Sequence, residues 1–145
     1  MAAGTTSDST VLAFDFGTRR IGVAVGDLAT RIAHPLATIE REREADRFDA
    51  IAALVAEWKP SRLVVGLPVH ADGAPHGTTA RAQRFGRQLA GRTGLPVDFA
   101  DERHTTQTAS ASLAEAGLGG RRAREVRDRV AAQLILQSWL DAHGG

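Results

Sequence analysis

Residues 11–27, VLAFDFGTRRIGVAVGD, decide the fold of this chain. The segment opens with a short apolar run of branched and aromatic residues that ends at Gly17, which is typical of a buried strand. The residues around Gly17 favour a tight turn, and residues 21–25 predict a second strand. The segment therefore predicts a two-stranded hairpin.

Asp15 lies inside the first predicted strand, between two phenylalanines. An ionised carboxylate in an apolar strand is costly unless a metal, a cation or hydrogen bonds compensate it. Two interpretations remain open. Asp15 either hydrogen-bonds to the turn at Thr18, as in a common Asx turn, or it binds a divalent cation or contacts a phosphate group.

Length and composition indicate one ordinary globular domain. The chain has 145 residues, of which 24% are charged and 43% are hydrophobic, enough for a substantial core. It has no cysteine, which excludes disulfides and thiolate metal sites and suits the cytoplasm. No apolar run has the length of a membrane span, and the first residues do not resemble a secretory signal. We expect a disordered leader over residues 1–9, a single domain over residues 10–143, a cytoplasmic location and no membrane partner.

The rest of the chain alternates strands and helices. Residues 34–39 predict a third strand at the sheet edge, because Pro35 cannot donate a ladder hydrogen bond. A charged stretch over residues 40–47, interpreted as solvated, leads into a helix that Pro60 ends. The apolar stripe of this helix contains Phe48, Ile51, Ala52, Val55 and Trp58.

Two further strands and three further helices follow. Strands are predicted over residues 62–68 and 95–100, and helices over residues 79–92, 105–117 and 123–142. A strand that follows a helix suggests a parallel crossover. The fold class is therefore α/β, with a five-stranded mixed sheet of three antiparallel and two parallel strands, flanked by helices.

Two acids outside the hairpin stand out by their positions. Glu102 follows Asp101 at the end of the fifth predicted strand, where open α/β sheets bind ligands; a solvated loop explains this pair equally well. Asp128 falls on the apolar stripe of the last helix, where it needs a partner. An ion pair with Arg124, one turn earlier, is the structural alternative there.

Asp15, Glu102 and Asp128 are each ambiguous alone. Together they indicate a cluster that oxygen-binding divalent cations would neutralise. Hard cations bound by carboxylates are common catalysts of phosphoryl transfer. In such sites two metal ions activate water and stabilise the leaving oxygen.

Arginine dominates the basic residues. Of 18 basic residues, Lys59 alone is a lysine, which a GC-rich genome explains as well as bidentate phosphate contact does. Residues 121–129 contain five arginines directly after a glycine pair. This cluster predicts contact with a phosphate backbone, with a solvated helix start as the alternative.

Four segments resemble the YqgF/RuvX family, which comprises pre-16S rRNA nucleases and Holliday junction resolvase-like proteins within the RNase H-like superfamily. The segments are AFDFGTRRIGVAVGD (13–27), VVGLPVHADG (64–73), DERHTT (101–106) and RDRVAAQLIL (127–136). They cover nearly the whole domain in the family's order. DFGT by itself also resembles the phosphate loop of sugar kinases and actin-like ATPases, but those folds need two such domains and this chain is too short.

The resemblance implies an RNase H-like fold in which Asp15, Glu102 and Asp128 are the metal-binding catalytic acids. Asp101 is the nearest candidate for a fourth metal ligand. The implied cofactor is Mg2+ or Mn2+, as two ions, with water as nucleophile and products that carry a 5′ phosphate and a 3′ hydroxyl. Gly17 and Gly22 match the family's strand-turn motif. We assign nucleic-acid binding to Arg20, Arg81, Arg84, Arg121, Arg122 and Arg124, and we expect Arg20 either to brace the site or to touch phosphate.

We therefore expect a metal-dependent nuclease that acts on structured RNA, in the 5′-end maturation of pre-16S rRNA during ribosome biogenesis. Two alternatives stay open: a resolvase of branched DNA such as a Holliday junction, and a non-catalytic nucleic-acid-binding factor. A resolvase is expected to form a homodimer, whereas RNA trimming suits a monomer. The low aromatic content of 5% favours recognition of shape and backbone.

Overall fold

A computed structural model describes residues 9–17, 20–41, 43–67, 77–101 and 120–143. Within these ranges the chain forms five strands and three helices. They are β1 (Thr10–Phe16), β2 (Arg20–Asp27), β3 (Ile32–Glu40), α1 (Glu44–Trp58), β4 (Arg62–Leu67), α2 (Gly77–Thr93), β5 (Val97–Asp101) and α3 (Gly120–His143). The helix predicted over residues 105–117 and nearly all of the predicted leader lie outside the described residues.

The strands form one mixed sheet in the order β3-β2-β1-β4-β5. β2 is antiparallel to both β1 and β3, whereas β4 is parallel to β1 and β5 is parallel to β4. This arrangement confirms the predicted mixed sheet. It also confirms that the strand with Pro35 lies at an edge, beside a register irregularity of β2 between Val23 and Ala24.

The two faces of the sheet carry separate hydrophobic cores. Side chains alternate along a strand, so Leu12 and Phe14 of β1 face α1 and α2, where they pack with Phe48, Ile51, Phe85 and Leu89. Val11 and Ala13 face α3, where they pack with Ala132, Ile135, Leu136 and Leu140. By the same alternation, Asp15 lies on the face that α3 covers and Phe16 lies on the opposite face.

β2 presents small residues to α3, and these permit a close approach. Gly22, Ala24 and Gly26 alternate along the α3 face of β2. A Cβ atom at Gly22 would overlap the main-chain carbonyl of Asp128, and one at Gly26 would lie 2.9 Å from the Leu136 Cδ2 atom. The helix therefore rests almost directly on the backbone of β2.

Polar side chains fix α3 to the edge strand β3 and its preceding turn. Gln133 Nε2 donates to the Ala33 carbonyl at 3.0 Å, and Gln137 Oε1 accepts from the Ala33 N–H at 3.0 Å. Gln137 Nε2 also donates to the Arg31 carbonyl at 2.8 Å. These bonds satisfy backbone groups of β3 that have no strand beyond them.

Helix α1 departs from its prediction at two residues. Phe48 and Ile51 are buried as predicted, but Ala52 is exposed, so the predicted stripe is wrong there. The interpretation of residues 40–47 as solvated is wrong at Arg47, which is only 9% exposed. Its side chain donates from Nε to the Arg41 carbonyl and from a terminal guanidinium nitrogen to the Gly17 carbonyl, at 3.1 and 3.2 Å. A long side chain reaches backbone acceptors that periodicity does not reveal.

The predicted ends of the elements are otherwise close to those observed. α1 ends before Lys59, which adopts a left-handed conformation with φ of 47° and donates its N–H to the Val55 carbonyl. The buried residues of α2 include Ala82, Phe85 and Leu89, together with Thr79. None of the described helices is both long enough and apolar enough to cross a membrane.

Candidate active site

The carboxyl ends of β1, β4 and β5 lie at one edge of the sheet, because these three strands are parallel and in register. Phe14 of β1 pairs with Val65 of β4, and Val65 pairs with Phe99 of β5. Asp15 is the penultimate residue of β1, and Asp101 is the last residue of β5. Open α/β sheets bind ligands outside such carboxyl ends, so this edge is the candidate site.

Asp15 and Asp128 both lie next to Gly22. Asp15 is the cross-strand partner of Gly22 in the β1–β2 ladder, and Gly22 lies against the main chain of Asp128 on α3. Cross-strand partners have Cβ positions about 4.5–5.5 Å apart and point to the same face. Two acids from opposite ends of the chain therefore flank one glycine on one face of the sheet.

Arg20 holds the Asp128 carboxylate. The Arg20 Nε donates to Asp128 Oδ2 at 2.6 Å, and the two side chains are 19% and 17% exposed. Arg20 lies two residues before Gly22 on the same strand face. The alternative of an Arg124–Asp128 ion pair is wrong: Asp128 pairs across the fold with Arg20, and Arg124 is exposed. Of the two roles expected for Arg20, this ion pair supports the bracing of the site, and contact with phosphate remains a prediction.

A second contact fixes the turn of α3 that carries Asp128. Thr38 of β3 pairs with Gly22, and its Oγ1 donates to the Glu125 carbonyl at 2.7 Å. This bond adds a side-chain donor to one carbonyl near the start of α3 and ties the helix to the sheet one turn before Asp128. Three contacts thus position Asp128: the hydrogen bond from Thr38 to Glu125, the packing of the helix backbone on Gly22, and the ion pair with Arg20.

Gly17 also requires its small size. A Cβ atom at Gly17 would lie 2.6 Å from the Arg20 carbonyl oxygen, so the backbone approaches closely here. The Gly17 carbonyl is at the same time the acceptor for the buried Arg47. Gly17 therefore lies against the start of β2 at Arg20 and also accepts a hydrogen bond from Arg47 of α1.

The metal-binding prediction rests on three acids, of which two are described. Glu102 lies outside the described residues, as does the side chain of Asp101. Over the described ranges, no three Asp, Glu, His or Cys side chains converge on one point. The two described carboxylates are hard oxygen donors of the kind that Mg2+ and Mn2+ prefer, and a bond to Arg20 orients one of them. Their chemistry fits a hard divalent cation.

The predicted nucleic-acid-binding arginines divide between the two faces of the sheet. Arg20, Arg122 and Arg124 lie with α3, the last two exposed near its beginning. Arg81 and Arg84 are exposed on α2, on the opposite side. The side chain of Arg121 lies outside the described residues. The sequence did not indicate this separation.

One acid in the fifth strand was missed, and it has a structural role. Asp98 Oδ1 accepts from Arg62 at 3.0 Å, and Asp98 Oδ2 accepts from the Trp139 indole at 3.1 Å. Trp139 is 5% exposed and therefore lies in the core. In the sequence, Asp98 stands between the apolar residues Val97 and Phe99. Because side chains alternate along a strand, this pattern indicates that Asp98 points to the opposite face from those two residues.

Comparison with known proteins identifies the family. The RuvX family, described as Holliday junction resolvase, matches residues 9–142. A Dechloromonas aromatica protein named "Putative pre-16S rRNA nuclease" is 57% identical over 133 residues, with 92% of this chain and 91% of the relative covered. A Burkholderia lata protein with the same name is 50% identical over 141 residues, with 97% and 95% covered.

Two solved structures share the fold. RuvC of T. thermophilus, in complex with a Holliday junction substrate, superposes with a TM-score of 0.55 at 18% identity, with 94% of this chain and 96% of RuvC covered. The Fowlpox virus resolvase, in complex with Holliday junction DNA, has a TM-score of 0.59 at 8% identity, with 92% and 97% covered. These neighbours agree with the RNase H-like fold expected from the sequence. With its profile match and its close relatives, this chain belongs to the RuvX family.

Proposed function

We propose that this protein is a divalent-metal-dependent nuclease that hydrolyses phosphodiester bonds in structured RNA, in the 5′-end maturation of pre-16S rRNA in the cytoplasm. The observation that carries the proposal is the placement of Asp15 and Asp128 on either side of Gly22, with Arg20 bonded to Asp128. The names of the relatives support the choice of pre-16S rRNA as substrate.

The proposed ligands of Mg2+ or Mn2+ are Asp15, Asp128 and Glu102, and Asp101 is the candidate for a fourth. When bound, two such ions would lower the pKa of the attacking water and would neutralise the charge that develops on the leaving oxygen. Water adds to phosphorus and the 3′ oxygen leaves, which yields a 5′ phosphate and a 3′ hydroxyl.

The protein's own groups contribute position and charge. Arg20 holds the Asp128 carboxylate through Oδ2, so one oxygen is fixed while the other remains for a ligand. The exposed Arg122 and Arg124, together with Arg121, are proposed to hold the phosphate backbone near the acids. Preorganised charges of this kind stabilise the transition state without a reorganisation cost.

Cleavage of branched DNA is the second candidate. The family description names Holliday junction resolvase, and both structural neighbours are bound to junctions. A resolvase cuts two strands symmetrically and therefore needs two active sites, so this candidate requires a homodimer. A nuclease that trims RNA can act as a monomer.

The deciding experiment compares two substrates side by side. A 5′ fragment of precursor 16S rRNA and a four-way DNA junction are each incubated with the protein and Mg2+ or Mn2+. Asp15→Asn serves as the control because it keeps the shape of the side chain and removes its charge.

Three outcomes separate the candidates. RNA cleavage by the wild type, and none by Asp15→Asn, supports the maturation nuclease. Symmetric junction cleavage with intact RNA supports the resolvase. Binding of both substrates without cleavage of either contradicts both enzymes and favours a non-catalytic binding factor.

A further inference from the structure

A pocket of about 280 Å3 opens between α1 and α2, on the sheet face opposite the acids. We call it the α1–α2 pocket. Its described walls are Phe16, Glu44, Arg47, Phe48, Arg81, Arg84, Phe85 and Gln88. The volume is slightly below the range of about 300–1,000 Å3 that is usual for pockets that hold small ligands.

Positive charge dominates the described walls. Arg81 and Arg84 are one helical turn apart on α2 and exposed, so both guanidinium groups can turn towards one anion. Arg47 adds a third, buried guanidinium. Glu44 is the one acid among these walls, and its carboxylate accepts from Gln88 Nε2 at 3.4 Å. The balance of three cations to one anion suits a phosphate group.

The buried cation would gain from an anion nearby. Desolvation by burial lowers the pKa of Arg47, and the charge of Glu44 acts in the opposite direction. The guanidinium stays protonated because its ordinary pKa is far above neutral. A phosphate in the pocket would offset part of the cost of keeping that charge out of water.

The floor of the pocket is aromatic. The Phe16 and Phe85 rings have centroids 4.8 Å apart, and the Phe48 and Phe85 rings have centroids 5.8 Å apart. Phe48 and Phe85 are buried and Phe16 is half-buried, so Phe16 is the most accessible of the three, with the Arg47 guanidinium carbon 5.9 Å from its ring centroid. Nucleic-acid bases stack on aromatic side chains without regard to sequence. An apolar floor beneath a cationic rim therefore matches a nucleotide better than it matches free phosphate.

The pocket is adjacent to the candidate active site across the end of β1. Phe16 directly follows Asp15, and the two side chains lie on opposite faces of the sheet. Arg47 bonds to the carbonyl of Gly17, the next residue. A nucleic-acid strand that crosses the carboxyl end of β1 would pass from the acids to the pocket.

We infer that the α1–α2 pocket binds one unpaired nucleotide of the substrate strand, close to the phosphodiester that is cut. Its phosphate contacts Arg81 and Arg84, and its base lies against Phe16. The inference rests on the proposed nuclease function and deepens it, because it specifies a single-stranded segment beside the cleavage site. It also accounts for the two predicted nucleic-acid-binding arginines that lie away from the acids.

The test measures binding separately from cleavage. Binding of the four ribonucleoside 5′-monophosphates and of inorganic phosphate is measured by calorimetry, with no divalent metal present. The double variant Arg81→Gln, Arg84→Gln removes the proposed phosphate contacts. Arg87→Gln is the matched control, since Arg87 is exposed on the same helix and is not among the pocket walls.

We expect the nucleotides to bind more tightly than inorganic phosphate. The double variant should weaken their binding by at least about tenfold, as expected for the loss of one or more charge-assisted hydrogen bonds. The control should change binding by less than about twofold. Equal binding of inorganic phosphate, or an equal effect of Arg87→Gln, would overturn the inference. Thermal unfolding of each variant verifies that it is folded.

The same variants in the RNA cleavage assay separate the two proposals. Nucleotide binding by a protein that cuts neither substrate would support the pocket and contradict the nuclease function. RNA cleavage by a double variant with an unchanged KM would overturn the pocket and leave the nuclease function intact. A raised KM in the double variant, and a normal KM in the control, would support both.

Discussion

Arg20 and Asp128 form an ion pair that joins the first hairpin to the last helix, with the Arg20 Nε 2.6 Å from Asp128 Oδ2. The two residues are 108 positions apart in the chain, and they meet because Gly22 lets α3 lie against β2. The pair is largely shielded from solvent, so its electrostatic interaction is less screened than that of a surface pair. One contact thus serves both the docking of the helix and the orientation of a candidate catalytic acid.

Removal of either described acid should abolish cleavage. We expect Asp15→Asn and Asp128→Asn each to lower the cleavage rate by more than about 100-fold, since loss of a metal ligand is at least as severe as loss of the groups that orient one. Substrate binding, measured by filter retention, should remain close to that of the wild type. Loss of binding in both folded variants would contradict a metal-ligand role.

Asp98→Asn is the matched control for those two variants. Asp98 faces α3 as Asp15 does, but it bonds to Arg62 and Trp139. We expect this variant to lose about 1–3 kcal/mol of stability in urea unfolding, because two donors lose a charged acceptor. Cleavage per folded molecule should be unchanged, and a large loss of activity would show that Asp98 has been misassigned.

Arg20 is expected to act through Asp128. We expect Arg20→Ala to lower kcat by about 10–100-fold while KM and its salt dependence change little, since the loss concerns orientation of an acid. Arg20→Lys should recover only part of kcat, because an ammonium group cannot reproduce the Nε geometry. A rise in KM at constant kcat, with a flatter salt dependence, would indicate a direct phosphate contact instead.

Gly22 is expected to tolerate no side chain. Gly22→Ala places a methyl group against the Asp128 carbonyl, so α3 must move away from β2, at a cost of about 1–3 kcal/mol or more in urea unfolding. Gly91→Ala on α2 is the control, because no described atom lies within 4 Å of an added Cβ. It should raise stability by about 0.5–1 kcal/mol through helix propensity. Equal effects of the two substitutions would refute close packing at Gly22.

The arginines at the start of α3 should control the salt dependence of binding. Replacement of Arg121, Arg122 and Arg124 by Gln should weaken RNA binding. It should also reduce the slope of log K against log salt by about 2, at about 0.7 per lost contact with a single strand. Replacement of the exposed Arg87 and Arg92 on α2 is the control and should leave the slope nearly constant. An unchanged slope in the triple variant would mean that this cluster is a solvated helix start.

Arg47 should matter for stability despite its charge. Arg47→Met keeps the apolar stem but removes the donors to the Arg41 and Gly17 carbonyls, and we expect a loss of about 1–3 kcal/mol. Arg43→Met, an exposed change beside the start of α1, should cost less than about 0.5 kcal/mol. Urea unfolding measures both, and equal values would show that the buried contacts contribute nothing.

The sequence by itself determined the order and kind of the described elements. Apolar runs, Pro and Gly positions and helical periodicity identify β1 to β5 and the buried faces of α2 and α3, because each pattern reflects the burial of one face of one element. The same patterns isolated Asp15 and Asp128 as acids on apolar faces.

The tertiary structure decided which residues meet. Periodicity suggested Arg124 as the partner of Asp128, but the docked helix brings Asp128 to Arg20 of the distant hairpin. The tertiary structure also buries Arg47 and places Arg81 and Arg84 on the sheet face opposite the acids. The physical reason is that hydrophobic patterning reports the environment of each element, whereas a partner depends on which surfaces pack together. In this protein the small residues of β2 determine the packing, because they let α3 approach the backbone of β2.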